Sequence, residues 1–196
     1  MHVRSSIPAI VALALLRAPA AAQMSIPFDS PRWQHVDSEV VEHMGRLSMQ
    51  GTALLPDVQF RDGVIEFDIA VDGRRSYPGV LFRIREPNTY EHVYVRPHRA
   101  GLYPDAVQYT PAINGLSGWQ LYNGEGYTTG VQLEPDEWVP VRIEVKEGQA
   151  RVFVGDPTTP TLAVHHLELE PVPGPIGLSG PKDGSAWFSN FRYRED

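Results

Sequence analysis

The chain of 196 residues contains no cysteine, and that absence excludes a good deal. There is no disulfide framework, no thiol nucleophile, no thiolate zinc site and no lipid anchor on an N-terminal cysteine. Basic residues are also scarce, with 17 Lys and Arg against 24 Asp and Glu and a formal net charge of −7. Nucleic acid, whose phosphates need a basic footprint, is a poor partner for such a chain. No long polybasic run addresses an anionic membrane surface. No sustained helical periodicity is found beyond the first residues, and no repeat unit recurs, which sets aside propellers and solenoids. Calcium stays open at an acidic loop but has no ligand string of the EF-hand kind, and the sequence implies no other cofactor. His165 and His166 are adjacent, so in a strand their rings point apart and cannot chelate one zinc ion.

What the chain does have begins with residues 1–22, MHVRSSIPAIVALALLRAPAAA. Arg4, an apolar run from Ile7 to Leu16 and a small-residue ending form the three parts of a secretory signal, with cleavage after Ala22 or Gln23. The run is too short to span a bilayer. The expectation is an exported mature chain, periplasmic or extracellular, forming one domain over 23–196. Its first part, about 23–55, is irregular. Within it, VDSEVVEHMGR fits one short helix or an edge strand.

Gly and Pro, 17 and 18 in number, punctuate short apolar runs, as expected of an all-β protein stabilised by its core. In GVIEFDIAV, 63–71, Ile65, Phe67, Ile69 and Val71 alternate with Val64, Glu66, Asp68 and Ala70, giving a strand with one buried face. GVLFRIRE, 79–86, sets Val80, Phe82 and Ile84 against Leu81, Arg83 and Arg85. EHVYVRPHRAG, 91–101, sets Val93 and Val95 against His92, Tyr94, Arg96 and His98. DAVQYTPAI and GWQLYNGEG follow as two further strand segments around the Asn114–Gly115 turn pair. WVPVRIEVKEGQARVFVGD reads as a hairpin turning near Glu147 and Gly148, and two more strands flank Asp183 and Gly184. Eight or more short strands at this spacing predict a β-sandwich or barrel.

The order F-x-D-G-V-I-E-F-D-I, Y-P-G-V-L-F-R-I-R, Y-E-H-V-Y-V-R-P-H, W-V-P-V-R-I-E-V, G-P-I-G-L-S-G and W-F-S-N-F-R-Y resembles the concanavalin A-like lectin/glucanase superfamily. Within it, the chain is similar to laminin-G-like and 3-keto-disaccharide hydrolase domains of exported bacterial proteins. The resemblance covers about residues 30–196. It implies a two-sheet antiparallel β-sandwich, a jelly roll whose concave face commonly binds carbohydrate. It does not carry a mechanism with it, because one fold hosts lectins, hydrolases and lyases. The glucanase strand Glu-x-Asp-x-x-Glu is represented here only by Glu66-Phe67-Asp68, with Val71 at the place of the second glutamate. Retaining hydrolysis needs two carboxyl groups about 5–5.5 Å apart. YVRPHRAGLY, 94–103, is a loose echo of an alginate-lyase motif, without the accompanying Gln-x-His strand.

The candidate ligand set is Arg83, Tyr94, Gln108 and Gln120, with Trp119 or Tyr122 to stack on a sugar ring. Together with Arg96 and His98 these residues supply guanidinium forks, amides, a phenol and an imidazole, which suit sugar hydroxyls or a uronate carboxylate. His98 is the candidate general base, with Arg96 or Arg83 steadying an enolate. Glu66 and Asp68 share a face and are candidates for acid–base work or for a cation. The plainer alternatives are a solvated sheet face for the Arg and Tyr residues and for Glu66 and Asp68, a core position for Trp119, and an ordinary surface histidine next to Pro97 for His98. Two functions therefore stand open: an exported hydrolase or lyase acting on a glycoside, possibly a 3-keto sugar, or a lectin-like module that binds glycan without catalysis. Oligomeric state is not legible.

Overall fold

The structure is a computed structural model and describes residues 22–86 and 88–196. The expected signal sequence lies almost wholly outside the described residues. Fourteen strands follow one another: β1 Met24–Ser25, β2 Gln34–His43, β3 Arg46–Phe60, β4 Gly63–Val71, β5 Gly79–Glu86, β6 Thr89–Val95, β7 Val107–Ile113, β8 Leu116–Ser117, β9 Thr128–Thr129, β10 Val139–Lys146, β11 Gln149–Val154, β12 Leu162–Val164, β13 Gly174–Ser179 and β14 Ala186–Glu195. Among the described residues the only helical piece is one 3-10 turn, Pro97–Arg99, and none is long and apolar enough to cross a membrane.

All pairings are antiparallel, and the main path runs β12-β11-β10-β4-β14-β3-β13-β5-β6-β7-β8. The path curls so that its two halves face each other, with the long strand β3 shared between them. Phe67, Ile69, Val141, Ile143 and Val152 of the first half meet Val93, Val95 and Val107 of the second. This is the two-layer, all-β jelly roll that the resemblance implies, and a sandwich is one of the two architectures that the strand spacing predicts. Period-two alternation puts one set of side chains from each strand into this shared interior, where removal of apolar surface from water drives folding. Aromatic pairs fill its length: Phe60 lies edge-on to Phe82, and Phe67 to Phe188. Trp33 packs on Phe28 and Phe191 while its indole N–H donates to the Pro27 carbonyl at 3.1 Å.

The segment 34–60 is more regular than expected. VDSEVVEH is strand, part of β2, and β2 and β3 form a hairpin whose turn residues Met44 and Gly45 both have positive φ, 49° and 71°. That is the backbone of a tight two-residue hairpin turn. β2 pairs with β3 alone and buries little, so its sequence carries weak contrast between faces.

Two expectations fail for identifiable reasons. In β5, Val80 and Phe82 enter the core and Leu81 lies on the outer face, as predicted. Arg83 then adopts φ 51°, the register against β6 shifts, and the side chain turns inward to complete burial. A bulge of this kind reverses the faces of the residues beyond it, so Ile84 lines the outer face instead of the core. GWQLYNGEG is loop, not strand. The Asn114–Gly115 pair, with φ of 52° and 79°, ends β7 in a tight turn, and β8 then covers only Leu116–Ser117.

A groove on the outer face of β5, β6 and β7

Strand β6 lies between β5 and β7, with Gly79 opposite Tyr94 and Tyr94 opposite Gln108. Gly79 must lack a side chain, because a Cβ there would sit 2.1 Å from the Val93 carbonyl oxygen and 2.7 Å from the Tyr94 Cβ. Val93 and Val95 point into the core. The alternate positions His92 and Tyr94, followed by Arg96 and His98 beyond the strand end, line an outer groove of 780 Å³. Arg75 and Tyr77 enter it from the loop before β5, Arg99 and Asp105 from around the 3-10 turn, and Ser117 and Trp119 from the segment after β7.

The groove floor is a connected polar network. The Tyr94 hydroxyl donates to Gln108 Oε1 at 2.6 Å and accepts from Arg96 Nη2 at 3.1 Å. Arg96 Nη2 also donates to Gln108 Oε1, and Arg96 Nη1 to Asp105 Oδ2 at 2.7 Å. Gln108 Nε2 donates to the carbonyls of Trp119, at 2.9 Å, and Tyr122. Gln108 thus spends both lone-pair directions and both N–H groups inside the protein. It is a positioning residue that fixes the 118–122 loop, with no hydrogen bond left for a ligand.

Rings wall the groove. Tyr77 is edge-on to Tyr94 and to His98, and His92 lies 4.7 Å from Tyr94. The Arg96 guanidinium carbon is 5.5 Å from the Trp119 ring centre and 5.6 Å from that of Tyr94. Trp119 stays 47% exposed, so its ring has a free face. Burial pushes the His92 imidazole down to about 4, leaving it neutral at neutral pH, and pushes the Tyr94 phenol up. His98 is held below its ordinary value by burial first and then by Arg75, Arg99 and Arg96. Its Nδ1 is buried without a hydrogen-bond partner among the described residues.

Of the residues singled out from sequence, the groove brings together Tyr94, Arg96, His98 and Trp119, with Gln108 beneath them. Gln120 is exposed on the loop and lines no part of the groove, and Tyr122 packs edge-on against Tyr109 and Tyr127. Arg83 is the clearest displacement. Its Nε donates to the Arg61 carbonyl at 2.8 Å, and its Nη2 to the Glu147 carbonyl at 2.5 Å and to Asp62 at 3.1 Å, all in the interior. Glu66 and Asp68 do share a face, but it is the outer face of the other half of the sandwich. There Glu66 accepts from Arg192 at 2.7 Å, and Asp68 accepts from Arg46 at 2.5 Å and Asn190 at 2.6 Å, beside a cleft of only 120 Å³.

Sequence reasoning passed over Arg75, Tyr77, Arg99 and Asp105, which stand in aperiodic segments where alternation has nothing to say. It also passed over Glu91. This carboxylate points into the core with Val93, accepts from the Tyr109 hydroxyl at 2.7 Å and the Leu169 amide at 3.0 Å, and is pushed up in pKa by burial.

No family model matches the sequence, and no curated protein matches it. Solved structures do match. The carbohydrate-binding module CBM66 from Bacillus subtilis aligns with a TM-score of 0.61 at 15% identity, over 84% of this chain and 96% of that one. A Bacillus subtilis protein of unknown function with a galectin-like fold gives 0.61 at 10% identity, over 91% and 97%. Toad ovary galectin, solved with thio-digalactose, gives 0.53 at 10% identity, over 74% and 99%. At such identities the likeness concerns the fold alone, and the fold is a galectin-like jelly roll.

Proposed function

We propose that the groove binds carbohydrate and that the protein is an exported, lectin-like glycan-binding jelly roll. The observation that carries this reading is the combination of a free Trp119 ring face with fixed polar edges from Tyr94 and Arg96 in one groove. A sugar ring offers the complementary pair of surfaces, an apolar face of C–H groups and a rim of hydroxyls. A pocket with apolar walls and few, preset polar groups loses little entropy on binding. The fold shared with CBM66 and a galectin is consistent with it. Glycan-array screening followed by calorimetry is the test. Affinity should survive His98→Ala and fall about tenfold in Trp119→Ala, the scale of one lost ring contact. An array without a single hit would refute the proposal.

A catalytic reading has one specific support. His98 lines the groove and is held neutral near pH 7, the protonation state a general base requires. In that reading the protein is a hydrolase or lyase of a modified glycoside, 3-keto sugars included. Hydrolysis by two carboxylates is poorly served, since Asp105 is the single groove carboxylate among the described residues and is committed to Arg96 and Arg99. Turnover of a 3-keto-glucoside that disappears in His98→Ala would favour this second reading. Export belongs to the proposal through residues 1–22, and N-terminal sequencing of secreted protein, starting at Gln23 or Met24, checks it.

A further inference from the structure

Charge in the groove runs opposite to charge in the chain. The sequence is net acidic at −7, yet three arginines and one carboxylate line the groove. Asp105 pairs with Arg96 at 2.7 Å and Arg99 at 2.5 Å, and one negative charge balances only one of the two. Arg75 has no acidic partner among the described residues; its Nε donates to the Tyr77 hydroxyl at 2.9 Å. Two positive charges are therefore left over in a walled cleft, where low-dielectric surroundings concentrate their field.

Ring stacking holds these groups without neutralising them. Arg96 lies over Tyr94 and Trp119, Arg99 lies 4.1 Å from the Tyr103 ring centre, and Arg75 lies 6.0 Å from that of Tyr77. Stacking orients a guanidinium plane and leaves its N–H edge open. Arg96 is 7% exposed and its Nη groups are taken up by Asp105, Tyr94 and Gln108, so it contributes positive field to the groove. Arg75 is exposed and hydrogen-bonded through Nε alone among the described residues, so its remaining N–H groups are open to an incoming oxygen. The depressed proton affinity of His98, set after burial by Arg75, Arg99 and Arg96, is the response of a titratable group to the same excess charge.

We infer that the groove takes an acidic sugar, a uronate glycoside whose carboxylate is held by the guanidinium group of Arg75, in the field of Arg96 and Arg99, while its ring lies against Trp119. The inference rests on the carbohydrate reading above and narrows it. A planar carboxylate suits guanidinium edges, whereas a neutral sugar would leave both excess charges unanswered.

Calorimetry of the whole protein against tetramers of galacturonate, mannuronate and glucuronate decides it. Each is paired with its carboxyl-reduced form, and a sulfated galactose tetramer is added. At least one uronate should bind about tenfold or more tightly than its reduced form, the scale of one charge-assisted hydrogen-bond pair. That affinity should drop as salt rises and fall about tenfold in Arg75→Gln, whose exposed position keeps the unfolding midpoint unchanged. The NMR-detected pKa of His98 should rise with the uronate and stay put with the reduced sugar. Equal or better binding of reduced or sulfated tetramers, or full uronate affinity in Arg75→Gln, overturns the acidic-sugar inference and leaves the carbohydrate reading intact. Failure of every sugar overturns both.

Discussion

Arg83 and Arg96 sit on or just beyond neighbouring strands, both are more than nine-tenths buried, and both reach an aspartate. Their surroundings assign them opposite work. Arg83 spends its donors largely on main-chain carbonyls, those of Arg61 and Glu147, and Asp62 in turn accepts from the Glu147 amide at 2.7 Å. The result clamps the β3–β4 turn to the β10–β11 turn and closes one end of the sandwich. Arg96 binds only side chains, Tyr94, Gln108 and Asp105, and these support a groove wall. An arginine whose partners are backbone carbonyls holds the fold together. One whose partners are side chains holds a surface ready.

Truncation should break this comparison most sharply. Arg83→Ala removes a wholly buried guanidinium, leaves the Arg61 and Glu147 carbonyls without its donors and leaves Asp62 with only the more exposed Arg61 and the Glu147 amide, at a cost of about 3–5 kcal/mol; a denaturant titration should show the midpoint collapse. Arg96→Ala should cost less, ~1–3 kcal/mol, because Asp105 keeps Arg99, yet it should abolish sugar binding in calorimetry.

Next in size is an acid-side effect from His92, which is wedged against Tyr90 and Tyr94. Its folded-state value is lowered from 6.5 to about 4, so the unfolded chain binds more protons between those limits. Stability is then fully present above pH 6.5 and is lost as pH falls toward 4, by on the order of 3 kcal/mol. His92→Gln should flatten that slope in thermal scans across the window. Trp119→Ala should weaken sugar binding by ~1.4 kcal/mol, a factor of ten, with no shift in unfolding because the ring is half exposed. Glu66→Gln should change stability by less than about 1 kcal/mol, as for a surface ion pair, and alter neither binding nor any turnover. Loss of turnover there would move the chemistry to the opposite face.

Much of the fold was legible because β4, β6 and β10 obey strict alternation, and Val93 and Val95 declared which side of β6 is dry. The same rule sorted His92, Tyr94, Arg96 and His98 correctly onto the other side. It failed at Arg83, since alternation cannot register a residue whose backbone turns to positive φ and consumes a position. It failed again at 118–127, where Trp, Gln, Leu and Tyr have the composition of a strand but pack as a loop pinned by Gln108. The β2–β3 hairpin escaped notice because β2 is half wet on both faces. Glu91 could not be foreseen, since nothing in its neighbours announces that Tyr109 and the Leu169 amide, far along the chain, will receive its charge.

Strand β14 has a consequence for the order of events during synthesis. It lies between β4 and β3 and also pairs β1, with Met24 opposite Tyr193. Until Ala186–Glu195 has emerged, a growing chain must carry β3 and β4 as two unpaired edges in what will become the middle of a sheet. Such edges recruit other chains. The sheet is therefore completed only when Ala186–Glu195 is in place, and delay of that strand leaves the β4 edge open to other chains.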